Sequence, residues 1–198
     1  MKSLFALTVL ASLASSSAFA GNIVIGNPSF NGDGCVPGSA AVTLSPDAGA
    51  ISILFDSFQA QAGGTTGLPQ ARKYCIMNIP VQVSPGFQAA IIEMDYRGFH
   101  ALPQRGYAQF TVDYALQGFQ GPRFNRRFVG PLNQDFNTIN RLRLQDVKWS
   151  ACGANTVLSV NASMIVVTNE RHEQTIGTVD SGDLASGIDA QLQYRPCQ

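Results

Sequence analysis

Apolar and polar residues alternate with a period of two in several stretches of this chain. In residues 109–116 every second position is apolar, from Phe110 to Leu116, and residues 158–166 alternate in the same way. Because successive side chains of a strand point to opposite faces of a sheet, this alternation predicts strands that are buried on one face only. Apolar runs and shorter alternations predict further strands at residues 41–44, 51–55, 77–83, 87–96, 142–149 and 190–194.

Segments rich in Gly, Pro, Asp and Ser separate these predicted strands, at residues 45–49, 63–67, 84–86 and 121–122. Such segments favour turns, and strands at this spacing without helical periodicity predict an all-β fold, an antiparallel β-sandwich of two packed sheets. Within residues 142–149 the apolar phase changes near Gln145, which predicts a bulge or bend. The side chains predicted to be buried are Phe110, Val112, Tyr114, Val147, Trp149, Leu158, Val160 and Met164. Those predicted to face outward are Gln109, Thr111, Asp113, Ser159 and Asn161.

The start of the chain has the features of an export signal. Lys2 supplies a positive charge, residues 4–13 form an apolar stretch, and Ala18-Phe19-Ala20 is a small-x-small cleavage site before Gly21. We therefore predict a signal peptide at residues 1–20 and a single β-sandwich domain at residues 21–198, secreted or periplasmic. No later stretch reaches the ~18 to 20 apolar residues that spanning a bilayer requires, so no membrane span is predicted.

Four cysteines, Cys35, Cys75, Cys152 and Cys197, follow the predicted signal. In an oxidising compartment an even number of cysteines indicates disulfides rather than thiols for metal binding or catalysis. Four cysteines allow three pairings. We predict the sequential pairing, Cys35 with Cys75 and Cys152 with Cys197, because it closes two loops of similar size and ties the C-terminal strand to the domain. The loop-entropy model assigns roughly 4 kcal/mol to each such bridge.

Charged residues make up 13% of the chain and are balanced at 13 basic and 13 acidic residues. Proteins that bind DNA or RNA carry a basic surplus concentrated on one face, so no nucleic-acid partner is predicted. The one local basic cluster, at residues 123–128, is interpreted as a solvated loop.

Nine short motifs resemble, in order, those of a known secreted family. They are Gly34-Cys35-Val36-Pro37-Gly38-Ser39, Leu44-Ser45-Pro46-Asp47, Phe55-Asp56-Ser57-Phe58, Arg72-Lys73-Tyr74-Cys75, Pro85-Gly86-Phe87, Asp95-Tyr96-Arg97-Gly98, Phe128-Val129-Gly130-Pro131, Trp149-Ser150-Ala151-Cys152-Gly153 and Tyr194-Arg195-Pro196-Cys197. The chain is similar to the family known as domain of unknown function 4360, found in fungi and bacteria. Tyr74 and Ala151 stand where that family usually has Asn and Pro, and the C-terminal motif also differs. The resemblance implies a secreted domain with the same cysteine frame, and it implies no established activity.

No pattern of nucleophile and base is present in the sequence. The Gly-x-Ser-x-Gly motif is absent, and neither His100 nor His172 has the context of a triad or of a zinc helix. Both histidines are therefore interpreted as surface or loop residues.

Two carboxylates are the candidates for acid–base chemistry. Glu93 and Asp95 lie on one face of the predicted strand 87–96, and a pair of carboxylates about 5 to 10 Å apart can hydrolyse glycosides. Arg97 follows on the same face, so a row of surface charges is the simpler interpretation.

Asp180, Asp183 and Asp189 are the candidate metal ligands. They lie within ten residues in a segment rich in Gly and Ser, where a hard cation would relieve the repulsion between the carboxylates. Their spacing does not match an EF-hand, so a plain Asp-Gly turn is the simpler interpretation and a weak calcium site is the hypothesis to test. No other cofactor is predicted.

Aromatic residues could form a platform for sugars, and Tyr96, Phe99 and Tyr107 bracket the Arg97-Gly98 dipeptide. Because Trp149 is the only tryptophan and its phase predicts burial, the sequence gives only weak support for a lectin-like sugar platform.

We predict a secreted, non-catalytic binding or structural module of the cell surface, envelope or extracellular matrix, with a glycan or a cell-surface protein as partner. The alternative is a secreted hydrolase that acts on glycans through Glu93 and Asp95. The position of these acids separates the two hypotheses. An enzyme requires them in a concave pocket with a second acid across it, whereas a binding module leaves them on an open face.

Overall fold

The computed structural model describes residues 23–116, 118–179 and 187–198. In these ranges the chain forms β-strands and one short 3₁₀ helix at Gly64–Thr66. The strands are β1 Ile23–Ile25, β2 Ser29–Asn31, β3 Ala40–Leu44, β4 Ala50–Phe55, β5 Gln59–Ala62, β6 Gln70–Val83, β7 Phe87–Leu102, β8 Tyr107–Leu116, β9 Phe119–Gln120, β10 Phe124–Val129, β11 Leu132–Arg141, β12 Asn155–Val167, β13 Thr175–Thr178 and β14 Ile188–Pro196. None of the described residues forms a helix long and apolar enough to cross a membrane.

The strands form two antiparallel sheets. Sheet A has the order β1-β6-β12-β8-β10, with β2 also paired to β6 and β9 to β8. Sheet B has the order β3-β4-β14-β7-β13-β5, with β11 on the other edge of β7. The antiparallel sandwich predicted from the alternation is therefore confirmed, and β12 is the central strand of sheet A.

The core lies between the two sheets and is built from alternate residues of the long strands. The buried members of the predicted set are Phe110, Val112, Tyr114, Leu158, Val160 and Met164. Burial of one such side chain contributes about 1.5–3 kcal/mol relative to its exposure. Residues of the opposite phase, such as Thr111 and Asn161, point away from the core, as predicted.

Both predicted disulfides are confirmed. Cys35 and Cys75 are bonded with a Cα–Cα distance of 5.5 Å, and Cys152 and Cys197 with a distance of 5.7 Å. The first bridge is buried in the core, whereas Cys152 of the second is exposed. The second bridge ties the end of β14 to the segment before β12.

The strand predicted at residues 142–149 is wrong. This segment contains a turn at residues 144–146, and Leu144 is 94% exposed. Trp149 is half-buried beneath the Arg195 guanidinium, 4.2 Å from the ring centre, and is not part of the core. Val147 is also only half-buried. The change of phase in the sequence marks a change of chain direction. The indole of Trp149 is covered by the Arg195 side chain of β14 and not by residues of the opposite sheet.

The interpretation of residues 123–128 as a solvated loop is also wrong. Residues 124–129 form β10, which pairs with β8 along the edge of sheet A. Phe124 and Phe128 point toward the core, and the arginines between them are exposed. The alternation was therefore present, but three arginines concealed it.

One irregularity interrupts β7. The register with β14 shifts between Gln191 and Leu192, which pair with Glu93 and Ile91, so Ile92 has no partner in β14. Ile92 is consequently half-buried, whereas Met94 and Tyr96, which follow in regular pairing, are buried.

Candidate functional site

The outer face of sheet A carries an array of neutral polar side chains on its central strands. Strand pairing places Asn161 of β12 between Ile76 of β6 and Asp113 of β8. The next outward position of β12, Ser163, lies between two further residues of the same strands. We call this surface the sheet A platform; it comprises Arg72, Tyr74, Ile76, Asn78, Gln109, Thr111, Asp113, Asn125, Arg127, Ser159, Asn161, Ser163 and Ile165. The platform arises because buried and solvated positions alternate along these strands, and most of the solvated positions carry polar side chains.

A groove of about 500 Å³ crosses the platform at Asn161. Its lining residues are Ile76, Asp113, Tyr114, Ala115, Gln120, Gly121, Arg123, Ser159, Val160 and Asn161. A bidentate ion pair lies on the β8 side of the groove. Arg123 donates from Nε and Nη2 to the two carboxylate oxygens of Asp113 at 2.6 and 2.9 Å. This hydrogen-bonded contact raises the pKa of Arg123 further. The pair holds both planar groups in one orientation at the rim of the groove.

Hydrogen bonds between neighbouring strands orient the polar groups of the platform. Ser159 donates from Oγ to Oδ1 of Asn78 at 2.8 Å, and Gln109 donates from Nε2 to Oδ1 of Asn125 at 3.0 Å. Within the part of the chain that the structure describes, the NH₂ groups of Asn78 and Asn125 make no hydrogen bond. An amide NH₂ has two donors, so these groups can serve a ligand.

Apolar groups lie among the polar ones. Val24, Ile76, Val129 and Val157 are exposed to between 38% and 62% and occupy outward positions of sheet A. A second groove of about 500 Å³ adjoins β1, with Val24, Pro80 and Val157 in its lining. The outer face of sheet A therefore offers apolar contact beside hydrogen-bonding groups, the combination that ligand-binding surfaces require.

Two arginines of the platform are stacked on tyrosines. The Arg127 guanidinium lies 3.5 Å from the ring centre of Tyr107, which is diagonal to it across the β10–β8 pairing. The Arg72 guanidinium lies 5.5 Å from the ring centre of Tyr74. Among the described residues neither arginine has an ion-pair partner within 4.0 Å.

The carboxylates considered for catalysis lie on the outer face of sheet B, on the opposite side of the molecule. Glu93 accepts a hydrogen bond of 2.6 Å from Arg141 of β11, and strand pairing places Asp95 opposite Asp189. Burial raises the pKa of Asp95 above its ordinary value, and the negative charges of Glu93 and Asp189 raise it further, while Arg97 opposes the shift. Neither Glu93 nor Asp95 lines the grooves described above.

The candidate calcium ligands are only partly covered by the structure. Asp189 is the second residue of β14, paired with Ser52 and with Asp95, and is therefore in a strand rather than a loop. Asp180 and Asp183 lie outside the described residues. Within the described ranges, no three His, Cys, Asp or Glu side chains are arranged to hold a metal ion. The calcium site stays a prediction.

The two histidines have different environments. His172 is exposed in the loop before β13, as predicted. The interpretation of His100 as a surface or loop residue is wrong, because its side chain is 1% exposed and stacks against Phe136, with ring centres 4.6 Å apart. The signal available in the sequence was the phase of His100, which lies four residues after Tyr96 and therefore on the same, buried face of β7.

The three aromatic residues considered as a sugar platform do not share a surface. Tyr96 is buried and stacked on Phe124 at 4.2 Å, Phe99 faces outward from sheet B, and Tyr107 faces outward from sheet A. The alternation of the sequence correctly predicted that Asn161 and Asp113 face outward, but it gave no sign that Ile76 of β6 lies beside them. The signal that was available is the set of Asn, Ser, Thr and Gln residues at outward positions of three strands.

Comparisons with known proteins give a family and a relative. The family model described as a domain of unknown function, DUF4360, matches residues 21–197. An "Uncharacterized secreted protein" of Arthroderma benhamiae is 27% identical over 170 residues, which are 85% of this chain and 69% of that protein. The resemblance found in the motifs is confirmed, and the secreted relative together with the two disulfides confirms a secreted or periplasmic location.

Among solved structures, a match is found to TmCBM61 in complex with β-1,4-galactotriose. It is 7% identical, covers 86% of this chain and 88% of that chain, and has a TM-score of 0.27. A likeness this distant carries no argument about the ligand of this chain.

Proposed function

We propose that this chain, which belongs to the family of domain of unknown function DUF4360, is a non-catalytic module that binds glycans on the sheet A platform. The observation that carries the proposal is the groove at Asn161. It combines side-chain amide, hydroxyl, carboxylate and guanidinium groups with the exposed apolar side chain of Ile76.

The chemistry of sugars explains why this combination matters. A pyranose ring presents vicinal hydroxyl groups, which both donate and accept hydrogen bonds, and apolar C–H faces between them. Amide and carboxylate groups are planar and can engage two adjacent hydroxyl groups at once, and an orientation fixed in advance lowers the entropic cost of binding. Asp113 is held in this way by Arg123, and Asn78 by Ser159. Ile76 provides apolar contact for a C–H face beside them.

The positions of the acids favour binding over hydrolysis. Glycoside hydrolysis takes two carboxyl groups that face each other across the bond to be cleaved, about 5 to 10 Å apart. Asp113 is the carboxylate in the lining of the groove, and it is engaged by Arg123. Glu93 and Asp95 lie on the outer face of the other sheet, and Glu93 is paired with Arg141.

The test is a glycan array probed with the mature, oxidised chain, followed by calorimetric titration of the glycans that bind. Production in a bacterial periplasm keeps the Asn161-Ala162-Ser163 sequon unmodified, so the groove stays accessible. Asn161→Ala should weaken binding about tenfold or more, equal to about 1.4 kcal/mol. Asn137→Ala is the matched control, because Asn137 is an exposed asparagine on the outer face of sheet B, opposite Arg97.

Thermal melting of both variants should match that of the unmodified chain, since both asparagines are exposed. Binding to no glycan, or equal losses in Asn161→Ala and Asn137→Ala, would contradict the proposal. Release of reducing sugar from a bound glycan would favour the hydrolase instead.

A further inference from the structure

Resting on the proposed function, we infer that the glycan bound on the sheet A platform is anionic and carries uronic acid carboxylates, with Arg72 and Arg127 as the residues that bind them. The two arginines lie at opposite ends of one row of the sheet. That row runs across four adjacent strands. Its members, in spatial order, are Arg72 of β6, Ile165 of β12, Gln109 of β8 and Arg127 of β10. Three spacings between strands separate the ends of the row, about 14 Å.

The environment of each guanidinium favours an external carboxylate. A guanidinium that lies over an aromatic ring uses its face for the cation–π contact and keeps the donors along its edge available. Arg127 is 3.5 Å above Tyr107, and Arg72 is 5.5 Å from Tyr74. Arginine binds carboxylates through two parallel hydrogen bonds, and the tyrosines restrict the side-chain freedom that would otherwise be lost on binding.

The distribution of charge directs an anionic chain to this face. The platform and the rim of its groove carry Arg72, Arg123 and Arg127 against the single carboxylate of Asp113. The outer face of sheet B carries Glu93, Asp95, Asp135 and Asp189 against the three arginines Arg97, Arg141 and Arg195, so acidic groups exceed basic ones by one. An anionic glycan is therefore favoured on sheet A over sheet B, and this difference in charge acts over roughly a Debye length of 8 Å at physiological salt.

The density of charge distinguishes a uronic acid polymer from denser polyanions. Nucleic acids and highly sulfated chains are held by concentrated basic patches, whereas the whole chain has equal numbers of basic and acidic residues. On the platform, neutral Gln109 and Ile165 separate the two arginines. This arrangement matches carboxylates spaced along a sugar chain that also offers many neutral hydroxyl groups.

The test compares polygalacturonate with the same polymer after full methyl esterification, which keeps the backbone and removes the charge. In about 50 mM salt the acidic polymer should bind at least about tenfold more tightly than the ester, and this difference should shrink as salt is added. Arg72→Ala combined with Arg127→Ala should reduce the affinity for the acidic polymer to that for the ester. The matched control, Arg141→Ala combined with Arg143→Ala, removes two exposed arginines from outside the platform and should leave the affinity unchanged.

The outcomes separate the two proposals. Equal affinities for acid and ester, with a loss in Asn161→Ala, would overturn the uronate inference and leave glycan binding in place. Binding of a sulfated galactan but not of polygalacturonate would overturn the inference in the same way. Binding of the acidic polymer that is insensitive to Arg72 and Arg127 would overturn the assignment of these residues. Failure to bind either polymer overturns the inference, and the glycan array then decides the proposed function on its own.

Discussion

His100 provides the sharpest test of how this sandwich responds to acid. Its imidazole is 1% exposed and packs against both Phe128 and Phe136, with ring centres 4.2 and 4.6 Å away. Neither ring nitrogen has a hydrogen-bond partner among the described residues. Burial lowers the pKa of His100 to about 4, and the positive charge of Arg126 contributes in the same direction. The folded protein therefore holds this residue in its neutral form.

The direction and size of the pH effect follow from proton linkage. In the unfolded chain the pKa of a histidine is about 6.5, so between about pH 6.5 and 4 the unfolded chain binds a proton that the folded chain does not. The contribution of neutral His100 to stability is complete above this range and is lost as the pH falls through it. With a folded pKa of about 4, the loss between about pH 7.5 and 5 is about 2 kcal/mol. The loss is still incomplete at pH 5, because the folded chain binds the proton only as the pH falls through about 4.

His100→Phe should remove this dependence, because phenylalanine keeps a ring packed against Phe128 and Phe136 and has no group that titrates. Urea unfolding at about pH 7.5 and 5 gives the free energy of unfolding of both proteins, and the unmodified chain should lose about 2 kcal/mol more than the variant. His172→Asn is the control, because His172 is exposed and asparagine tolerates its φ of 53°. The reasoning is refuted if His100→Phe and the unmodified chain lose the same free energy over this pH range.

Four further outcomes are expected. Asp95→Asn should raise the free energy of unfolding at neutral pH by at most about 1 kcal/mol for a partly solvated group, and should not raise it below about pH 3, because a raised pKa means that folding disfavours the carboxylate. An unchanged or lower free energy of unfolding at neutral pH would contradict this. A mild thiol reductant should open Cys152–Cys197 before Cys35–Cys75, because the Cys35–Cys75 bridge is buried whereas Cys152 is exposed; mass spectrometry of alkylated peptides reports the order. Gly98→Ala should cost about 2 kcal/mol or more in chemical unfolding, because an added Cβ would lie 2.1 Å from a backbone oxygen of β13; a neutral result would mean that the strands can separate at no cost. Millimolar calcium should raise the melting temperature if the segment that ends at Asp189 binds it, and coincident melting curves in calcium and chelator would reduce that segment to a turn.

The alternation of the sequence predicted the parts of the fold in which one face of a strand is buried and the other is solvated. Strands β8 and β12 satisfy this condition along their whole length, so Phe110 and Leu158 were placed correctly. Alternation fails to predict burial where an apolar side chain is covered by groups other than those of the opposite sheet. Trp149 has the phase of a core residue, yet Arg195 covers its ring, and no periodicity along residues 142–149 can report a side chain that comes from β14.

The candidate site could be predicted only in part for a similar reason. The outward phases of Asp113 and Asn161 are local properties of their strands and were predicted correctly. Their adjacency is not local, because β12 pairs with β8 and with β6, whose residues lie far away in sequence. A polar outward face on one strand is ordinary, and a groove exists only once Ile76 and Asn161 are brought side by side. The register of the sheet, rather than any motif, assembles the platform.

The basic cluster of β10 shows how one strand can divide similar residues between the edge of the core and the outer face. Arg126 has the inward phase at the edge of the sandwich; it donates a hydrogen bond of 2.7 Å to Thr138 of β11 and lies 5.0 Å from the ring centre of Phe128. Since β10 belongs to sheet A and β11 to sheet B, Arg126 joins the edges of the two sheets. Arg127, the next residue, has the outward phase and lies over Tyr107 on the platform. A count of charges treats the two arginines as equivalent, whereas the period of two assigns Arg126 to the closure of the sandwich and places Arg127 on its outer face.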